Sequence, residues 1–350
     1  MKQTKLLFVG DLFVPLHTFK ISEVLHTLFT ECAIISCNLE APFVKNSFLP
    51  VTKAGPTLAH PEKVSNFIKD LGFNLFSLAN NHIYDYGVQG LKNTITLLSK
   101  ENVVGAGVSP EDAYALNIKN INNTKVGFLS FCEAEFGYLK RNSEQKSGFA
   151  WIHDDTTQEL IQQSKKKVDI LIVQVHAGIE NADIPIPEWR ECYRKLCDAG
   201  ASIIIGHHPH VPQGFEIYSG KYIFYSLGNF YFETSPLKTS GYIVSLNISN
   251  NKIAEVDTLP ISYRDGVVSI HTRKSTITAL SELLNKNYME HVESLAQERW
   301  NKYYVYYYGV SLKSIFFISF LQKIIYLFYS FFVKDPTPHL NNHLLLHNIR

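Results

Sequence analysis

The chain has 350 residues, 45% of them hydrophobic, so it can bury a large core as one large domain or as two. Its net charge of +1 excludes the broad basic face that nucleic-acid binding requires. Five cysteines, Cys32, Cys37, Cys132, Cys192 and Cys197, are odd in number and lack zinc-type spacing, which reads as buried thiols in a reducing compartment and not as a disulfide framework.

Taken in order, residues 5–9 read as a strand ended by Gly10-Asp11. The run is too short for the apolar core of a signal peptide, which points to a cytoplasmic start. Residues 21–30 fit a helix with Val24, Leu25 and Leu28 on one face. Residues 33–37 form the next strand, running into Asn38-Leu39-Glu40, and residues 41–60 are a long loop carrying Lys53-Ala54-Gly55-Pro56. Pro61 opens a helix to about Leu71, as proline does at a first helical position, and Gly72 caps it. A strand at 75–79 ends in Asn80-Asn81-His82-Ile83-Tyr84-Asp85-Tyr86-Gly87, and residues 88–100 are an amphipathic helix.

Strands at 114–118 and 126–131 flank Asn122-Asn123, a hairpin signal. Residues 155–166 are helical, and 169–175 are a buried strand leading to His176-Ala177-Gly178-Ile179-Glu180. Pro187 starts a helix that ends near Gly200. Residues 202–205, short and β-branched, suit a buried strand that Gly206 ends. His207, His208 and His210 follow within four residues. A strand at 222–226 ends in Leu227-Gly228-Asn229-Phe230, and strands at 242–248 and 253–259 complete a first domain, residues 1–265.

Residues 266–350 form a helical, aromatic-rich tail. Within it, 275–300 is a helix capped by Ser275. Residues 303–333 are dense in tyrosine, phenylalanine and isoleucine, but Lys313 and Lys323 interrupt them, so no clean run reaches the ~20 residues of a membrane span. Two readings remain for the tail: helices packed against protein, or peripheral contact with a membrane surface.

The strand ends carry polar groups of one chemical kind: Asp11, Glu40, Asn81 with His82, His176, and His208 with His210. Taken singly each has a plain structural reading, as a cap, a turn residue or a packed imidazole. Recurring at successive strand ends, where α/β sheets build their sites, they suit one or two divalent ions, and the mixed nitrogen and oxygen donors fit manganese, iron or zinc.

Together the segments Gly10-Asp11, Asn38-Leu39-Glu40, Ala79-Asn80-Asn81-His82 with Asp85 and Gly87, His176-Ala177-Gly178-Ile179-Glu180, Gly206-His207-His208-Pro209-His210 and Ser226-Leu227-Gly228-Asn229-Phe230 resemble the CapA family. That family is the poly-γ-glutamate capsule synthesis branch of the calcineurin-like metallophosphoesterases. The resemblance spans about residues 5–260 and implies an α/β, four-layer αββα sandwich of two mixed sheets with helices outside. It implies Asp11 as a ligand of a first metal and Glu40 in place of the usual bridging aspartate. Asn81 and His176 would serve a second metal, and His208 and His210 one metal each. His82 would face the substrate as the acid, with Asp85 placed to orient its ring. Lys53, Glu180, His207 and Asn229 stand at positions expected to touch substrate.

Two departures are visible. The superfamily's Asp-x-His begins here as Asp11-Leu12-Phe13, and Leu16 and His17 occupy the region where the family often has arginine. The expected function is a metal-dependent hydrolase of a phosphoester, acting on a small-molecule or polymer substrate in capsule or cell-surface polymer biosynthesis, at the cytoplasmic face of the membrane. The alternatives are hydrolysis of a γ-glutamyl or peptide amide, and a non-catalytic assembly factor anchored by the tail.

Overall fold

The computed structural model of the protein describes residues 4–53, 55–233, 240–271, 277 and 287–300. By its contacts the chain divides into one unit of residues 1–284 and another of residues 285–350. In the second, the helix Tyr288–Trp300 is described. The helix expected to start at Ser275 and the aromatic run at 303–333 lie outside the described residues, apart from that segment.

The first unit is built on two sheets. With its main strands numbered in chain order, the larger sheet runs β2 (Lys20–Ile21), β15 (Val267–Ile270), β14 (Lys252–Arg264), β13 (Ser240–Ser249), β1 (Thr4–Phe13), β3 (Cys32–Leu39), β4 (Leu75–Ser77) and β5 (Val103–Val104), with β12 (Asn229–Phe232) also paired to β1. The second runs β10 (Phe215–Tyr218), β11 (Lys221–Phe224), β9 (Ile203–His207), β8 (Ile170–His176), β7 (Thr124–Cys132) and β6 (Asn117–Ile121). Both are mixed. β1 is parallel to β3 and β12 and antiparallel to β13, while β7, β8, β9 and β11 run parallel.

The alternation of side chains along a strand sends one set inward and the next outward. Leu6 and Phe8 of β1, Val126 and Phe128 of β7, Ile170 and Ile172 of β8 and Ile203 and Ile205 of β9 form one cluster between the sheets. Leu7 and Val9 instead pack with Leu25 and Phe29 of helix α1 (Glu23–Thr30), Val64 and Ile68 of α2 (Val64–Asp70) and Leu91 and Leu98 of α3 (Gly87–Leu98). On the far side Leu171, Val173 and Val175 pack with Ile161 of α4 (Thr157–Lys165) and Trp189, Tyr193 and Leu196 of α5 (Pro187–Ala199). The layers are therefore helix, sheet, sheet, helix. Each large side chain buried in these clusters contributes roughly 1.5–3 kcal/mol. Two polar links cross the inner layer, Ser77 Oγ to Ser130 Oγ at 2.6 Å and Ser36 Oγ to Gln174 Oε1 at 3.2 Å.

Two glycines end no strand, contrary to the expectation from sequence. β1 continues through Gly10-Asp11 because Gly10 has no side chain: a Cβ there would lie 1.8 Å from Gly228 O. The close approach lets Asp11 N donate to Gly228 O at 3.0 Å and puts Asp11 in register with Asn229. β9 likewise runs through Gly206 to His207, since a Cβ on Gly206 would lie 2.0 Å from Tyr225 O.

Other boundaries also differ. Pro61 lies in a short strand, His60–Pro61, paired with Phe43–Val44, and α2 begins only at Val64. Val24 is 68% exposed, because α1 turns Leu25 and Phe29 inward. Tyr114 is a buried helix-end residue, and β6 starts at Asn117. The turn at Asn122-Asn123 is as expected, with both residues at positive φ (48° and 69°). β15 still pairs with β14 beyond residue 265, and Ile277 is buried in the inter-sheet cluster.

Candidate metal centre

Parallel strands whose carboxyl ends line up bring the polar residues together. Asp11 is in register with Asn38 on β3, Cys132 with His176, and His176 with His207. The loop after β9 then turns sharply, with His208 at φ 96° and His210 at φ 60°. Left-handed backbone at non-glycine residues is strained and persists where surrounding structure enforces it, most often at functional sites.

Two clusters result. In the first, Asp11, Glu40 and His210 each offer a ligand atom within 4.8 Å of the others. His210 Nδ1 lies 3.3 Å from Asp11 Oδ2 and its Nε2 3.7 Å from Glu40 Oε1. In the second, His176 Nε2 faces Asn81 Oδ1 at 3.0 Å and His208 Nδ1 at 3.0 Å. Asn38 joins them: its Nδ2 reaches Asp11 Oδ1 at 2.8 Å, His176 Nδ1 at 3.1 Å and Glu40 Oε2 at 3.5 Å.

Burial and mutual charge set the electrostatics. Burial alone would raise the Asp11 carboxyl, but the imidazoles of His207 and His210 beside it hold it well below its usual range. Burial pushes Glu40 up, and Asp11, Glu180 and Asp85 add to this against the pull of His210. Burial would lower His210, yet Glu40 and Asp11 raise it to about 10. Burial lowers His176 well below its usual value and His208 to about 4.

The donor set fits divalent ions. Asn81 Oδ1 and His208 Nδ1 both face His176 Nε2, and neutral imidazoles and an amide oxygen there have fewer protons to share than acceptors to satisfy. In the first cluster the His210 ring lies between the carboxyl groups of Asp11 and Glu40, the place a cation takes when ligands deprotonate. Phe13, at the position of the missing Asp-x-His ligand, is buried against Phe232 with ring centroids 5.0 Å apart, and Phe232 in turn packs on His210 at 4.7 Å.

Beside the second cluster, His82 Nδ1 lies 2.8 Å from Asp85 Oδ2. Asn80 braces the turn: its Oδ1 accepts from His82 N at 3.2 Å and Ile83 N at 2.9 Å, and its Nδ2 donates to Leu39 O at 2.8 Å.

The residues expected to touch substrate divide. Glu180 is half-buried and acts electrostatically on Glu40, His208 and His210. His207 is fully buried, because β9 continues through it and turns its ring inward, with Nδ1 3.5 Å from Asp11 Oδ1. Asn229 is buried and its Oδ1 holds His210 Nδ1 at 3.0 Å, a consequence of its register opposite Asp11. Lys53 is 7% exposed at its side chain and pairs with Asp85 Oδ1. Leu16 and His17 turn outward, their backbone N–H groups and the His17 ring held by Glu233.

Sequence reasoning passed over Asn38, Asn80 and Glu133. Glu133 Oε1 accepts from Gly178 N at 3.0 Å and lies 3.8 Å from His208 Nε2. Its signal was available, since it directly follows β7 and so sits at one more strand end.

The fold is a four-layer αββα sandwich, an α/β protein with histidine and carboxylate clusters at its strand ends. Comparison with known proteins gives the family. The family described as bacterial capsule synthesis protein PGA_cap matches residues 16–234, and the chain belongs to it. It is 31% identical over 272 residues to the PGA biosynthesis protein CapA of Bacillus subtilis, spanning 74% of this chain and 71% of that protein. It is 32% identical over 240 residues to the capsule biosynthesis protein CapA of Bacillus anthracis, spanning 66% of this chain and 58% of that one. Among solved structures it is similar to a putative 5′-nucleotidase from Staphylococcus aureus, with 16% identity and a TM-score of 0.44 over 86% of this chain and 59% of the other. The fold assignment rests on the layers described above. No described helix is long and apolar enough to cross a membrane.

Proposed function

We propose that this protein is a metal-dependent hydrolase of a phosphoester, acting in the synthesis of a capsule or related cell-surface polymer. The observation that carries the reading is the convergence of Asp11, Glu40 and His210 within 4.8 Å beside a second cluster of Asn81, His176 and His208. Asp11, Glu40 and His210 would hold one divalent ion, and Asn81, His176 and His208 another. Such ions, when bound, activate a water and offset charge on a phosphoryl group. His82 serves as the acid: Asp85 holds Nδ1, which leaves Nε2 to give a proton to the departing oxygen. Asn38 and Asn229 hold the ligand side chains in place, and Asn80 fixes the turn that presents His82.

A second reading keeps the centre and changes the bond to an amide of a γ-glutamyl or peptide polymer. What favours it is the placement of the nearby cations. Lys53 is committed to Asp85, and the His17 ring faces Glu233 at 2.6 Å, so both side chains are engaged by carboxylates of the protein itself. Assay of the manganese-, iron- and zinc-loaded protein against aryl phosphates and against γ-glutamyl peptides separates the two. Phosphate release with no peptide cleavage supports the first reading, and the reverse supports the second. The aromatic tail is proposed as a peripheral membrane contact, on sequence grounds alone.

A further inference from the structure

The coil between the short strands Phe43–Val44 and His60–Pro61 meets the turn that carries His82, and three of its residues are fastened to Asp85. Val51 N donates to Asp85 O at 2.9 Å, Leu58 N donates to Asp85 Oδ2 at 2.7 Å, and Lys53 Nζ pairs with Asp85 Oδ1. Asp85 is fully buried and the Lys53 side chain is 7% exposed. Lys53 Nζ also lies 3.4 Å from Asn81 O and 3.4 Å from His82 Nδ1.

We infer that Lys53 is a positioning residue for His82, acting through Asp85. A carboxylate removed from water holds its charge only when it is paired and hydrogen-bonded. Lys53 supplies that charge on Oδ1, which leaves Oδ2 for the imidazole and the Leu58 amide. The ammonium has only donors, so it cannot accept from Nδ1. The hydrogen on Nδ1 therefore goes to Asp85, and one tautomer and one ring orientation are selected. The same contact latches the coil to the turn. Lys53 does not grip the substrate, because its donors already face Asp85 and Asn81 inside the protein.

The inference rests on the hydrolase reading only for its kinetic arm. The first measurement is therefore spectroscopic: the ring nitrogen signals of His82 in full-length protein labelled with nitrogen-15 histidine, assigned with His82→Ala. The wild-type protein should show a hydrogen on His82 Nδ1, held to Asp85, whether or not Nε2 also carries its proton. Lys53→Met should lose that signature, and Lys53→Arg, which keeps the charge, should restore most of it. If hydrolysis is found, Lys53→Met should lower kcat by roughly 10²-fold with little change in KM, the loss being largest for poor leaving groups that need an acid. The same substitution in a His82→Ala background should cost little more. An unchanged His82 signature in Lys53→Met overturns the inference, and so does a rise in KM with kcat preserved. A chain that hydrolyses nothing, yet loses the His82 signature in Lys53→Met, refutes the proposed activity and keeps the inference. Should Lys53→Met fail to fold, Lys53→Arg beside Asp85→Asn gives the same reading, with the signature retained in the first and lost in the second.

Discussion

Asn38 Nδ2 donates to Asp11 Oδ1 at 2.8 Å, and through this amide, as through His208 N on Asp11 Oδ2 at 3.2 Å, the two clusters are joined. The same nitrogen faces His176 Nδ1 at 3.1 Å, and Asn38 Oδ1 accepts from Asn80 Nδ2 at 3.1 Å. A side chain that orients ligands without being one typically supports metal affinity by about 10–100-fold. Asn38→Leu should therefore weaken divalent-ion binding by that factor while the chain stays folded. Calorimetric titration with manganese or zinc checks it, and an unchanged affinity would remove Asn38 from this role.

Gly10 carries a stability prediction. Because a Cβ there meets Gly228 O at 1.8 Å, Gly10→Ala must push β12 off β1. Overpacking costs about 1–3 kcal/mol, and a clash with backbone falls at the upper end. The shift would also separate Asp11 from Asn229, its partner in register. Thermal denaturation should show a large drop in Tm for Gly10→Ala, and a Tm close to wild type would contradict the close approach.

His60 should make the protein acid-sensitive independently of the two clusters. Val14 N donates to its Nδ1 at 3.2 Å, its ring packs on Phe13 and Phe43, and burial lowers its pKa from 6.5 to about 3. With the folded pKa lowered, the unfolded chain takes up a proton that the folded chain refuses. The stabilising difference is thus whole above pH 6.5 and is lost as pH falls from there toward 3. By about pH 4 the loss is about 3 kcal/mol. His60→Gln, which can still accept from Val14 N, should flatten the fall in Tm between about pH 7 and pH 4 in chelator-treated protein. Parallel Tm curves for the two proteins would show that His60 does not contribute.

His82→Ala should leave metal content intact, since His82 belongs to neither cluster, and should lower turnover by roughly 10²–10⁴-fold on substrates with poor leaving groups. Metal analysis alongside kinetics tests both halves. A variant that loses its ions would make His82 a ligand, and one that keeps full rate would leave it without a role as acid.

Much of this site was legible in the sequence because strand-end chemistry is local. Asp11, Glu40, Asn81, His176, His208 and His210 each follow a run that reads as a strand, and the parallel register collects them. What the sequence hid depends on contacts between distant segments. Gly10 and Gly206 looked like strand ends because glycine usually punctuates, and only the approach of Gly228 and Tyr225 shows why each lies within a strand. His207 and Asn229 looked available to substrate, but register turns one beneath Asp11 and the other onto His210. The pairing of Lys53 with buried Asp85, 32 residues further along the chain, was likewise hidden. Pro61 looked like a helix start, and pairing with Phe43–Val44 decided otherwise.

The central claim is that the two clusters bind divalent ions, and elemental analysis of purified full-length protein, before and after dialysis against manganese, iron or zinc, tests it most directly. The account predicts one to two ions per chain, a loss from the second cluster in His208→Ala, a loss from the first in Asp11→Ala, and no ion in the double variant. Full metal content in the double variant, or no uptake of any of the three metals by the wild-type chain, would contradict it.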